Sequence, residues 1–268
     1  MDLHAYYHTV ALILSGVFGL CIGSFLNVVI YRVPLHMNIA HPASHCPKCD
    51  YQLKWYDNIP VLSYLLLGGR CRSCREKISP RYTAVELLNA VLWFLSAWIF
   101  WEKSPVFALI SMAAVSVFIC ICFIDLEHML IFDRFQLILL ALGILALFFD
   151  PSPAPLGGWL SHLIGGAAGF GSLWLIAFAA EKILHRDALG GGDIKLCGVA
   201  GLLLGWQKFL FGVLLASLVG SIILLTLKNR EKGREYPFAP FLTFGFTAAL
   251  LFGEPILQWY LTLVGITI

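Results

Sequence analysis

Apolar residues in this chain come in long runs rather than in alternation. Runs near residues 9–31, 83–101, 105–124, 132–149, 159–180, 208–227 and 238–252 each carry at most two charged residues. A shorter run covers 194–206, and an apolar tail, 255–268, follows the break FGEP. A helix crossing a ~30 Å hydrocarbon core needs about 20 such residues. The pattern predicts an all-α polytopic membrane protein with about eight transmembrane helices. The run from Ile194 to Trp206 reaches only about 20 Å as a helix. It reads as a short or tilted helix, or as part of a re-entrant pair, with ends that need protein or water around them. The first run has no basic residues before it and no small-x-small site in IGSFLNVVIYR, so it reads as a retained span rather than a signal peptide.

One segment breaks the pattern. Residues 33–82 are polar, turn-rich and cysteine-bearing. The expected organisation is a first span (1–32), a small insert (33–82) and a transmembrane core (83–268). An insert of this size builds little core unaided.

Composition agrees. The chain has 268 residues, 59% hydrophobic and 13% charged, with mean hydropathy +0.83, whereas soluble domains carry about 25% charged residues. A net charge of +2 implies no nucleic-acid partner. The placement of charge sets orientation. With eight spans and both termini outside, the inner segments 32–81, 125–135, 181–195 and 228–236 hold 16 of the 18 Lys and Arg. Only Lys103 and Lys208 fall on the other side. That is the positive-inside asymmetry, and it puts the insert in the cytoplasm.

The insert contains Cys46-x-x-Cys49 and, after 21 residues, Cys71-x-x-Cys74. Two such knuckles point to a tetrahedral four-cysteine zinc site whose binding supplies folding energy. Lys48, Arg70, Arg72 and Arg75 flank the thiols and are expected to favour the thiolate form. Two disulfides are the alternative, disfavoured in a reducing compartment. With all four positions filled, the expected role is structural. Cys21, Cys120, Cys122 and Cys197 lie in apolar runs and read as packing residues.

Ionisable residues at membrane depth are functional suspects. CICFIDLEHMLIFD carries Asp125, Glu127, His128 and Asp133, and GGGDIKL carries Asp193 and Lys195. The topology puts both stretches at the cytoplasmic face. Two aspartates brought together there can share one proton, one serving as base toward water and the other polarising a peptide carbonyl. Gly190, Gly191 and Gly192 are expected to adopt positive φ and leave clearance for an extended peptide. The plainer alternative makes Asp193 a helix cap after a glycine loop.

Taken in order, these segments resemble the bacterial type IV prepilin peptidases, which are polytopic GxGD aspartic proteases. GSFLNVVIYR (23–32) resembles the family's first-span signature, and the paired CxxC motifs follow. SPRYTAVELLNA (79–90), FIDLEHMLIFD, GGGDIKL and PFAPFL (237–242) resemble its later motifs. Phe132, Ala239 and Thr83 stand where the family usually has proline, glycine and proline. The resemblance implies that Asp125 and Asp193 are the catalytic pair. It implies a prepilin or pseudopilin substrate with a basic leader held in the cytoplasm, and residence in the bacterial inner membrane. Both termini would then be periplasmic. Members with the cysteine insert usually also methylate the new N-terminal amine with S-adenosylmethionine. Gly23, Ser24, Asn27, Arg32 and Glu86 are the candidate methylation region. Structural alternatives stand beside it. Gly16, Gly19 and Gly23 suit helix packing, Asn27 and Arg32 could tie the first span to the insert, and Glu86 could pair with Arg32 or Arg81. A basic insert would not attract a basic leader, which leaves Glu127, Asp133 or Asp187 as its candidate contacts.

Two rival readings remain at this level. A presenilin-like protease shares GxGD but lacks the cysteine insert. A zinc-ribbon transporter or scaffold would need acidic groups near mid-span, whereas these cluster at one face.

Overall fold

The computed structural model describes residues 3–153, 157–184, 190–226 and 236–265. Asp187 lies outside them. Helices dominate the described residues, and the only extended pairings among them are isolated bridges, His45 with Gln52 and Arg70 with Lys77. The helices are α1 (Leu3–Arg32), α2 (Leu62–Leu66), α3 (Arg81–Phe100), α4 (Pro105–His128) and α5 (Asp133–Phe149). They continue with α6 (Trp159–Leu184), α7 (Gly191–Leu204), α8 (Trp206–Thr226) and α9 (Ala239–Leu263).

Each apolar run forms a helix. Six of them, in α1, α3, α4, α6, α8 and α9, are long and apolar enough to cross a membrane. With 17 and 14 residues, α5 and α7 span only about 25 and 21 Å. Eight apolar helices are present among the described residues, therefore, but six have full crossing length. The FGEP break does not end a helix. α9 runs through Pro255 and absorbs much of the apolar tail. One proline removes one amide donor, whereas leaving the helix in lipid would strip several backbone groups of partners.

The chain divides into two compact units, Met1–Trp98 and Ile99–Ile268. In the first, α1 and α3 meet backbone to backbone. A Cβ on Gly19 would lie 2.8 Å from Ala90 Cα, and one on Gly23 would lie 2.7 Å from Glu86 Cα. Gly16 faces open space. The amide of Asn89 donates to the Gly19 carbonyl at 2.7 Å, adding a buried polar tie at this crossing.

In the second unit, α4 is the most buried span. Ser104 caps its start, accepting from the Phe107 amide at 3.2 Å, and Met129 at φ 53° ends it. α7 packs antiparallel on α6 through glycine. A Cβ on Gly165 would collide with the Gly201 carbonyl, and one on Gly169 with the Cys197 carbonyl. α8 and α9 repeat the device at Gly212 and Gly245. Without a hydrophobic driving force in lipid, such close backbone contact is what holds helices together.

Candidate active site and metal cluster

Asp125 sits in the last turn of α4 and is 6% exposed. Its Oδ2 accepts the backbone amide of Ala239 at 3.1 Å. Ala239 is the first residue of α9, so an unsatisfied helix N-terminal donor points at the carboxylate. Thr243 fixes that turn by donating to the Ala239 carbonyl at 2.9 Å. PFAPFL thus has a physical task that its sequence alone did not reveal.

Asp193 lies in the first turn of α7 and is half-buried. It is within electrostatic reach of Asp125. The structure brings together the two aspartates that the sequence singled out, from helices 68 residues apart in the chain.

The glycines work differently from the sequence expectation. None of Gly190, Gly191 and Gly192 has positive φ. Gly190 is the N-cap of α7 at φ −65°, and the other two are helical. Asp193 is therefore not the cap but the third helical residue. What glycine supplies is clearance. A Cβ on Gly190 would sit 3.2 Å from Asp193 Oδ2, and one on Gly192 would sit 3.1 Å from Ile131 Cβ. Buried Gln136, which the sequence reading passed over, holds this turn by donating to the Gly192 carbonyl at 3.1 Å. Lys195 pairs with Asp133 at 2.8 Å on an exposed surface, joining α7 to α5. Glu127 and His128, at the end of α4, are exposed. Phe132 has φ −79°, a value proline also adopts, so its replacement of proline keeps the turn.

The four insert cysteines converge, with their sulfurs all within 4.8 Å of one another. Cys46 and Cys74 are 3.9 Å apart, and Cys49 and Cys71 are 4.0 Å apart. A tetrahedron with ~2.3 Å metal–sulfur bonds has edges of about 3.8 Å, so these thiols fit one metal ion. All eight cysteines are free thiols, which excludes the disulfide alternative here. The flanking arginines are not what activates Cys71. Its pKa is lowered to about 7 chiefly by the backbone amides of Cys74 and Ser73. Arg72 instead binds buried Asp57 at 2.8 Å. Desolvation would raise the Asp57 carboxyl, but Arg72, the Lys54 amide and Tyr51 hold it below the usual range.

The candidate methylation residues lie at the α1–α3 crossing and the adjoining insert. Arg32 donates to the carbonyls of Asn38, Ile39 and Pro42 at 3.0, 3.1 and 2.6 Å, so it ties α1 to the insert. Gly23 serves the helix crossing. Asn27 donates to the Tyr82 carbonyl at 3.0 Å, while its Oδ1 is buried without a partner among the described residues. Glu86 takes the Val61 amide at 2.8 Å and a hydrogen bond with Ser24. Val61 sits at φ 62°, where a β-branched residue is strained. Asn27 Oδ1 and the Glu86 carboxylate are acceptors, a pairing that fits a cationic group such as a sulfonium or an ammonium.

The sequence reading also missed a buried charged cluster at the far end of the second unit. It comprises Asp150, His162 and Lys208. Lys103, the other lysine on that side, pairs with Glu254 at 3.1 Å.

Comparison with known proteins places the sequence in a family. Residues 17–100 match the bacterial peptidase A24 N-terminal domain, and 112–225 match the type IV leader peptidase family. The prepilin leader peptidase/N-methyltransferase of Aeromonas hydrophila is 36% identical, over 91% of this chain and 92% of its own. That of Pseudomonas aeruginosa is 35% identical over 96% of each, and that of Neisseria gonorrhoeae is 36% identical over 86% of each. No solved structure matches. With both halves matched and identity extending almost end to end, the chain belongs to the type IV leader peptidase family.

Proposed function

We propose that this chain is an inner-membrane endopeptidase that removes the leader from type IV prepilins or pseudopilins and then methylates the new N-terminus. The observation that carries the cleavage is the pairing of Asp125 with Asp193, two carboxylates from distant helices within mutual electrostatic reach. One, ionised, takes a proton from water as the oxygen attacks the scissile carbonyl. The other, protonated, donates to the carbonyl oxygen as charge develops there. The resulting tetrahedral adduct collapses with protonation of the departing amine. The Ala239 amide keeps Asp125 oriented. The positive-inside distribution supports a site facing the cytoplasm with both termini on the opposite side.

Zinc is the metal that four cysteine thiolates favour, and Cys46, Cys49, Cys71 and Cys74 would hold it as a structural ion. S-adenosylmethionine, when bound, supplies an electrophilic methyl group. Asn27, Ser24 and Glu86 offer acceptors that would hold the cationic groups of that reaction. Gly23 and Arg32 brace the region.

The test is incubation of the purified protein with a prepilin, with and without S-adenosylmethionine, read by mass spectrometry. Leader loss without the cofactor, and one further methyl with it, is expected. Asp125→Asn or Asp193→Asn should each lower cleavage by at least about 10³-fold. Retained cleavage in either membrane-inserted variant would sink the pair.

A further inference from the structure

The Asp150, His162 and Lys208 side chains are 1%, 0% and 2% exposed. Ionised groups buried this fully in a membrane protein are costly, and such sites mark function more often than accident. The cluster lies at the end of the second unit opposite Asp193, where α5 ends and α6 and α8 begin.

Its hydrogen bonds tie the three side chains together. Asp150 Oδ1 accepts the Ser152 amide at 3.0 Å and the Ser152 hydroxyl at 2.7 Å. Oδ2 accepts Lys208 Nζ at 2.7 Å and faces His162 Nε2 at 3.1 Å. A carboxylate has about four lone-pair sites. The Ser152 amide and hydroxyl and the Lys208 ammonium all donate to Asp150, and His162 Nε2 faces the same carboxylate. The other ring nitrogen, Nδ1, lies 2.9 Å from the Leu202 carbonyl, which can only accept. The Nδ1–H of His162 therefore donates to Leu202. Burial alone would raise the Asp150 carboxyl, but Lys208, His162 and the Ser152 amide hold it well below the usual range.

The cluster reaches every helix of the second unit. Asp150 ends α5, His162 is on α6, Leu202 is on α7, and Lys208 is on α8. The Lys208 stem passes Gly253 of α9, and its ammonium lies 6.0 Å from the Phe107 ring of α4. The bond that bears on catalysis is the one to Leu202. α7 touches α6 through glycine backbone at Gly165, Gly169 and Gly201. This lets the helices approach closely, with the Leu202 side chain over Gly166 and the Phe170 side chain over Gly198 as apolar contacts between them. The hydrogen bond from His162 adds a directional, buried polar tie to those apolar contacts, and α7 carries Asp193 at its opposite end.

We propose that Asp150, His162 and Lys208 are positioning residues for peptide cleavage. Through the bond from His162 Nδ1 to the Leu202 carbonyl they lock the axial register of α7 against α6, and so set Asp193 against Asp125. This rests on the reading of those aspartates as the cleaving pair.

Two replacements separate the histidine's two bonds. Asn presents an amide nitrogen where His has Nδ1, and Gln presents one where His has Nε2. His162→Gln thus keeps the Asp150 contact and releases Leu202, whereas His162→Asn does the reverse. The full chain in detergent or liposomes is assayed for cleavage of a prepilin and for methylation of an already cleaved pilin. For His162→Gln, kcat should fall about 10²-fold, the scale of an ångström-level misplacement, with KM and methylation unchanged. His162→Asn should restore most of kcat. Unchanged kcat in His162→Gln, failure of Asn to restore it, or equal loss of cleavage and methylation would each overturn the proposal. Should neither variant fold, ¹⁵N-histidine spectra of the unaltered protein decide. The Nδ1 of His162 should carry a proton, and an unprotonated Nδ1 would overturn the arrangement. Asp193→Asn run alongside keeps the two ideas apart. Its retained cleavage would remove the catalytic pair itself, whereas retained cleavage in His162→Gln removes only the positioning role.

Discussion

The amide nitrogen of Ala239 donates to Asp125 Oδ2 across 3.1 Å, linking the end of α4 to the start of α9. A hydrogen bond from a helix N-terminus to a carboxylate stabilises the ionised form and fixes its plane. Ala239→Pro removes this donor at the first helical position, where proline's φ fits while Phe238 before it has to leave the αR region. Cleavage should fall about 10-fold or more, the worth of one charge-assisted bond, with the protein still inserted. Ala239→Gly retains the donor and should cleave within about 2-fold of the parent. Steady-state kinetics on the two variants check the pair, and equal activities would remove the amide from the mechanism.

Metal removal should unfold the insert and leave the spans. The insert has few buried apolar side chains of its own, and the metal supplies its missing folding energy. A chelator, or Cys71→Ser, should release one metal ion per chain and expose residues 44–78 to protease while α4–α9 stay resistant. Acid separates two contributions. Asp57 is held below its ordinary value, so its contribution is complete above about pH 3.9 and fades only as pH falls through the lower folded value. Thiolate ligands take up protons at higher pH, so metal content should fall first. Metal analysis and limited proteolysis along an acid titration test the order.

Glu86→Gln keeps shape and hydrogen bonding but removes the charge from the α1–α3 region. Methylation of a cleaved pilin should drop by about 10-fold or more, while leader cleavage stays within about 2-fold. Equal loss of both would show that Glu86 supports the whole fold rather than one activity.

Helix crossings make a sharper stability prediction. Gly201→Val places a side chain into the Gly165 backbone, where nothing can yield. Destabilisation beyond the ~1–3 kcal/mol typical of overpacking is expected. Gly171, also in α6 of the same unit, has nothing within 4 Å of its would-be Cβ, and Gly171→Val should stay within about 0.5 kcal/mol. Detergent thermal melts check both.

Features carried by contiguous residues were legible in the sequence. Apolar runs gave the helices, the CxxC knuckles gave the sulfur cluster, and charge at membrane depth gave Asp125 and Asp193. Relationships between distant residues were not. The Ala239 amide lies 114 positions from Asp125, and Lys208 lies 58 from Asp150. No local pattern encodes a backbone donor or a partner that far away. Proline and glycine also misled locally. Pro255 stands inside α9, and the glycines before Asp193 are helical, because lipid penalises an open backbone more than it penalises poor helix formers.

The short α7 has a consequence for reach. Its antiparallel contacts, Gly165 with Gly201 and Gly169 with Cys197, continue by one turn to set Asp193 opposite Leu173. α6 runs on to Leu184, about 16 Å further. By that spacing α6 extends about eleven residues past the level of Asp193. A polypeptide covering that length needs about eleven residues as a helix but only about five when extended. The overhang of α6 is thus a length that an extended chain covers with fewer than half the residues a helix needs.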